Sequence, residues 1–99
     1  MLKFQEVYLK TVKEVAENPD GSTRVLPRKL YCSRDCLINP HYVVAVYEKE
    51  FTSSGDLKML EGRFPEDTQY SRIILDGNSF RSSEIIIVGS FDKIEQRLK

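Results

Sequence analysis

Apolar and polar residues alternate with a period of two along much of this chain, the spacing that turns one face of a strand inward and the other outward. Val7, Leu9 and Thr11 fall on one face of the first segment, with Phe4, Glu6, Tyr8, Lys10 and Val12 mostly on the other. Phe4, Tyr8 and Val12 also fit a helical stripe. The β-forming Val7, Tyr8, Thr11 and Val12, and the turn that follows, favour a strand. That turn is Asn18-Pro19-Asp20-Gly21-Ser22; Pro19 sets the first corner and Gly21 accepts the positive φ of a tight reversal. Thr23, Arg24, Val25 and Leu26 resume the strand pattern until Pro27, which predicts a short or edge strand. Leu30 and Tyr31 continue it, and Ser33-Arg34-Asp35 reads as a polar loop. The pattern predicts an N-terminal hairpin over roughly residues 4–31 with a polar far end.

Residues 37–47 form the next block, opened by Asn39-Pro40. Pro40 has a fixed φ and Asn39 is pushed out of the helical region, so a turn or strand start is expected. The uncharged run from Tyr42 to Tyr47 predicts a central strand covered on both faces. Residues 51–69 are polar and rich in turn formers, with only Phe51, Leu57, Met59, Leu60 and Phe64 to anchor them. Lys58-Met59-Leu60-Glu61 fits a short helical turn or a poor strand. A segment of this length without strong periodicity is expected to be a mobile or functional loop. Strands return at Tyr70-Ser71-Arg72-Ile73-Ile74-Leu75 and Glu84-Ile85-Ile86-Ile87-Val88, joined across Asp76-Gly77-Asn78, a hairpin signal. After Gly89, Ser90 is a good N-cap and Asp92 suits the positive end of a helix; Phe91, Ile94 and Leu98 recur at helical spacing. The expected core is Val7, Leu9, Leu30, Ile38, Val44, Val46, Ile73, Leu75, Ile85, Ile87, Phe91, Ile94 and Leu98.

The predicted fold class is mainly β (α+β): one domain over residues 1–99, a small antiparallel SH3-like barrel or bent sheet closed by a C-terminal amphipathic helix. Ninety-nine residues support one hydrophobic core. Fifteen basic and fifteen acidic residues balance, which argues against a dedicated duplex-DNA binder or a polybasic membrane binder. No apolar run is long enough to cross a bilayer, and Glu6 comes too early for a secretory signal. A cytoplasmic location without membrane attachment is expected, and Cys32 and Cys36 are read as reduced thiols.

Catalytic chemistry has little to build on. His41 is the only histidine; pairing it with Cys32 or Cys36 gives a conceivable dyad, and all three give an incomplete zinc set. The simpler reading is two small thiols and a turn histidine. No catalytic residue, metal site or cofactor is therefore assigned. Glu48 with Glu50, and Glu66 with Asp67, read as solvated surface carboxylates. Gly62, Gly77 and Gly89 are isolated and form no phosphate loop. Arg24, Arg28, Lys29 and Arg34, with Tyr31 among them, form a basic cluster that would suit single-stranded nucleic acid by phosphate contact and stacking; a charged hairpin that resists edge pairing is the alternative.

Ile38-Asn39-Pro40 followed by Val43-Val44-Ala45-Val46, then Ser71-Arg72-Ile73-Ile74-Leu75-Asp76-Gly77-Asn78-Ser79-Phe80 and a closing amphipathic helix, resembles the small flagellar FlbD/SwrD-like proteins over about the last sixty residues. The resemblance implies a compact SH3-like β-meander that acts by binding a protein. The expected function is thus a non-enzymatic regulatory or accessory module with a protein partner, the alternative being a nucleic-acid-binding accessory domain. Leu60 and Phe64 are the expected partner anchors, beside Arg24, Arg28, Tyr31 and Arg34, and edge strands leave room for a homo-oligomer.

Overall fold

The computed structural model describes residues 1–60, 62–77 and 84–99. The elements are β1 (Leu2–Glu17), β2 (Thr23–Ile38), a 3-10 turn (Pro40–Tyr42), β3 (Val43–Lys49), α1 (Ser54–Leu60), β4 (Tyr70–Leu75), β5 (Glu84–Val88) and α2 (Phe91–Leu98). All strand pairs are antiparallel, in one five-stranded open sheet of order β2-β1-β5-β4-β3. The mainly β fold with antiparallel strands is as expected, and the sheet is open rather than closed into a barrel.

β5 is the middle strand, which suits its run of three isoleucines: both its faces are covered. Ile85 and Ile87 join Phe4, Ile38, Ile73, Leu75 and Ile94 in one cluster, with Leu2, Cys36, Val43, Val46 and Leu98 packed around it. Ile86 and Val88 lie on the opposite face with a second cluster of Val7, Tyr31, Phe51, Leu60 and Tyr70, joined by Met59 and Phe64. α2 supplies Ile94 and Leu98 to the first cluster and α1 supplies Leu60 to the second, so each face of the sheet carries one short helix.

The expected C-terminal helix is present, and Ser90 Oγ caps it by accepting from the Lys93 N–H (3.3 Å). Gly89, at φ 139°, turns the chain from β5 into α2; a Cβ there would lie 2.9 Å from Ile94 Cδ1. Ser71, fully buried, donates its hydroxyl to the Gly89 carbonyl (2.8 Å) and fixes this corner.

Several expectations change. β3 is an edge strand rather than the covered centre: it pairs only with β4, and Val44 (69 % exposed), Tyr42 and Tyr47 face outward. Val44 is the extra residue of a β-bulge between Val43 and Ala45, which turns it away from the core. Leu9 and Phe91 are also exposed rather than core. Ser33-Arg34-Asp35 is strand, not loop: β2 runs through Pro27 to Ile38, and Pro27 is tolerated because β2 is the other edge. The 51–69 segment is not loose. It contains α1, and Phe51 and Leu60 are buried. Glu61, Asn78, Ser79, Phe80 and Arg81 lie outside the described residues, so the Asp76-Gly77-Asn78 turn is covered only in part.

β1 and β2 pair for sixteen residues each, from Leu2↔Ile38 to Glu17↔Thr23, well past the end of β5, the other partner of β1. None of residues 10–29 is buried. This distal part forms a two-stranded arm, and the molecule measures 59 × 30 × 20 Å with a radius of gyration of 16.7 Å, where a compact chain of this length has about 13 Å. The arm's tip is satisfied internally. The Asn18 N–H donates to the Ser22 carbonyl (2.7 Å), Gly21 N–H to the Asn18 carbonyl (3.0 Å), and the Ser22 hydroxyl to Asp20 Oδ1 (2.6 Å), with Gly21 at φ 85°. Those bonds to Ser22 hold the Asp20 carboxyl below its ordinary pKa.

Candidate functional site

A cavity lies at the end of the sheet where β3 stops. Glu48, Lys49 and Glu50 leave the sheet edge, and Phe51 turns the chain back beneath α1. Ser53 caps α1, its Oγ accepting from the Asp56 N–H (3.1 Å). Asp56 in turn accepts a hydrogen bond from Tyr31 Oη (3.1 Å), which ties the helix to β2. Burial, and after it this bond to a carboxylate, push the Tyr31 phenol above its ordinary pKa. After α1, Gly62 at φ 72° and the turn through Pro65, Glu66 and Asp67 bring the chain round to β4, while Ser90, Phe91 and Asp92 at the start of α2 form the far wall. The cleft has a volume of about 940 Å³.

Aromatic rings make its floor. Phe51 meets Tyr70 edge-on (centroids 4.9 Å, 88°), Phe64 does the same from the other side (5.8 Å, 80°), and Tyr31 continues the row behind Phe51 (5.0 Å, 56°). Burial raises the Tyr70 phenol, opposed by its bond with Thr68. Carboxylates make the rim: Glu48, Glu50, Glu66, Asp67 and Asp92 are exposed and line the opening. Among the described residues none of these five has an ion-pair partner. Among the described lining residues Lys49 is the sole cation, and its ammonium lies 5.1 Å over the Phe51 ring. The cleft therefore combines an apolar aromatic floor with a net negative rim, five carboxylates to one ammonium, a surface that attracts a cationic, partly apolar ligand.

The structure places the expected site residues in three different settings. Leu60 is buried in the second cluster and Phe64 is half-buried against Tyr70, so both line the cleft as structural floor rather than as protruding anchors. Arg24 and Arg28 stand on the exposed arm, with Arg28 3.7 Å from Glu14. Lys29, beside them, falls on the opposite face of the ribbon. Arg34 belongs to the body. Its Nε donates to Glu6 Oε1 (3.0 Å), a buried carboxylate, and its guanidinium lies 4.1 Å over the Tyr8 ring. Tyr31, the aromatic expected among these cations, is buried. The basic cluster read along the sequence is thus not assembled on one surface.

Cys32 and Cys36 are half-buried on β2, and neither is in a disulfide. Four steps along the strand separate them by about 13 Å, too far for one metal ion. His41 sits on the exposed 3-10 turn, where its N–H donates to Asn39 Oδ1 (3.0 Å). Among the described residues no three His, Cys, Asp or Glu side chains are grouped to hold a metal, and no helix is long and apolar enough to cross a membrane.

The carboxylate pairs read as solvated surface are solvated; what the sequence concealed was that Glu48 with Glu50, Glu66 with Asp67, and Asp92 share one opening. The Ser53-Ser54 cap, Asp56 in the first turn, Leu57 with Leu60, and Gly62 beyond form a helix pattern that could have pointed to α1 and so to the cleft. No family model, no curated protein and no solved structure matches the chain.

Proposed function

We propose that this chain is a cytoplasmic, non-enzymatic interaction module that regulates or assists a protein partner by binding a basic segment of it in the cleft between β3, α1 and α2. The observation that carries this reading is the rim of five carboxylates without ion-pair partners around an aromatic floor. Each lysine or arginine arriving at such an exposed rim contributes about 0.2–1 kcal/mol, and apolar side chains between them cover the floor. Specificity and fast, salt-sensitive association follow from the charge pattern more than affinity does. The resemblance to FlbD/SwrD-like proteins, whose expected mode is protein binding on an SH3-like meander, supports the same reading.

The test is an NMR titration of the ¹⁵N-labelled chain with a short peptide of alternating lysine and valine, against a glutamate–valine control of equal length. A dissociation constant of about 0.1–1 mM is expected for the basic peptide, with shifts confined to residues 48–52, 66–69 and 90–92 that fade as salt rises. Equal response to the acidic control, or an unresponsive cleft, overturns the proposal. Shifts at Arg24, Arg28 and Lys29 with single-stranded DNA, and none with either peptide, would replace it with the nucleic-acid reading.

A further inference from the structure

The arm has the chemistry that the cleft lacks. Residues 10–29 carry five basic and three acidic side chains. Two of the acids are already engaged, Glu14 with Arg28 and Asp20 with Ser22. Lys10, Lys13, Arg24 and Lys29 have no ion-pair partner among the described residues. The register puts Val15 opposite Val25, 68 % and 58 % exposed, and the alternation of the strands sets Lys13 and Lys29 on that same face. On that face both ammonium groups lie on the body side of the apolar pair and Glu17 lies on its tip side, so the pair and its two lysines together complement the aromatic floor and its carboxylates. The arm spans about eight residues per strand, ~27 Å at strand rise, so it projects far enough to enter another molecule.

Resting on the proposed use of the cleft, we infer that its basic occupant is the arm of a second copy of this chain, with Lys13 and Lys29 meeting Glu50 and Glu66 and the Val15–Val25 pair covering the aromatic floor. A contact between two different surfaces of one molecule is heterologous. It therefore builds an assembly that grows with concentration unless rotation closes it or two copies exchange arms reciprocally. The net charge of zero fits such self-complementarity, since each copy brings both signs.

Sedimentation velocity decides it. The intact chain in low salt is expected above its monomer mass of 11.5 kDa, returning to that mass at about 0.5 M salt, where charges are screened within a few ångströms. Lys13→Glu with Lys29→Glu, or Glu50→Lys with Glu66→Lys, should each raise the association midpoint at least about tenfold, a loss of ~1.4 kcal/mol. Each pair alters exposed positions, so folding is preserved and circular dichroism checks it. Within either variant alone a reversed surface faces an intact one of the same sign; mixing the two brings reversed arm to reversed cleft and intact arm to intact cleft, so unlike copies should associate. An intact chain that stays monomeric in low salt while binding the lysine–valine peptide overturns this inference alone. Failure to bind that peptide by an arm-reversed variant, whose cleft is unoccupied, overturns the cleft reading itself. Self-association unchanged by either reversal overturns the arm–cleft contact.

Discussion

β1 and β2 pass through two environments within one continuous ladder. In the body, Phe4, Glu6 and Val7 of β1 and Leu30, Tyr31 and Ile38 of β2 are buried, and helices cover both faces of the sheet. Along the arm the same strands pair in unbroken register with nothing buried. Pairing therefore outlasts burial. In the body the ladder is fixed by apolar packing, and in the arm by local means: β-branched cross-strand neighbours such as Val15 and Val25, and a tip that satisfies its own polar groups. A free two-stranded ribbon is marginal in water; this one is clamped at its root by the sheet. The body supplies the stability and the arm supplies exposed surface.

The contrast breaks hardest in the body. Replacing residues 52–66 with a Gly-Ser linker removes α1, Leu60, Phe64 and the acceptor of the Tyr31 hydroxyl, and uncovers Phe51 and Tyr70. A loss of about 3–6 kcal/mol is expected from the apolar area and the broken hydrogen bond, read by urea denaturation; an unchanged midpoint would return this segment to the status of a loose loop. Ile87→Ala, at a side chain with no exposure in the middle strand, should cost about 2–5 kcal/mol by the same measurement.

Tyr31 sharpens the comparison at the seam. Its pKa is raised in the folded state, first by burial and then by Asp56, so the fold holds the phenolic proton more tightly than the unfolded chain. The stability it contributes is full below the unfolded pKa of about 10 and is lost as pH rises through the folded value. Burial at Tyr70 acts in the same direction. Tyr31→Phe should cost about 1 kcal/mol at neutral pH and make the alkaline fall in melting temperature shallower. An identical alkaline profile in the variant would mean that Tyr31 does not titrate with unfolding. On the arm, Val15→Thr with Val25→Thr should stay within about 0.5 kcal/mol, since both side chains are solvated and both replacements are β-branched.

What the sequence made legible follows the same division. Period-two alternation and β-forming residues located β1, β-prone apolar runs located β4 and β5, and the Asn18-to-Ser22 turn and the Ser90 cap were readable because their geometry is local. Strand order was not. The uncharged run from Tyr42 to Tyr47 and the isoleucine run at Ile85 look alike as strings, yet long-range pairing puts the first at the edge and the second at the centre. α1 was obscured because seven residues with a glycine among them have little intrinsic helicity; Leu60 burial and the Asp56–Tyr31 bond hold it. The cleft was illegible for a related reason, since its carboxylates come from segments far apart along the chain. Arg34 and Tyr31 were drawn into a surface cluster by proximity in sequence, whereas strand alternation turns them to opposite faces of the body.

Hydrogen exchange of the intact chain, followed by mass spectrometry at low salt and at about 0.5 M salt, tests the arm–cleft account most directly. Amides of β4 and β5 should be slow in both conditions. Amides of residues 10–29 and of the cleft segments 48–52 and 66–69 should be protected together at low salt and high protein concentration, and should lose that protection together when salt is raised. Arm amides whose exchange is indifferent to salt and concentration would contradict the claim that the arm of one molecule occupies the acidic cleft of another.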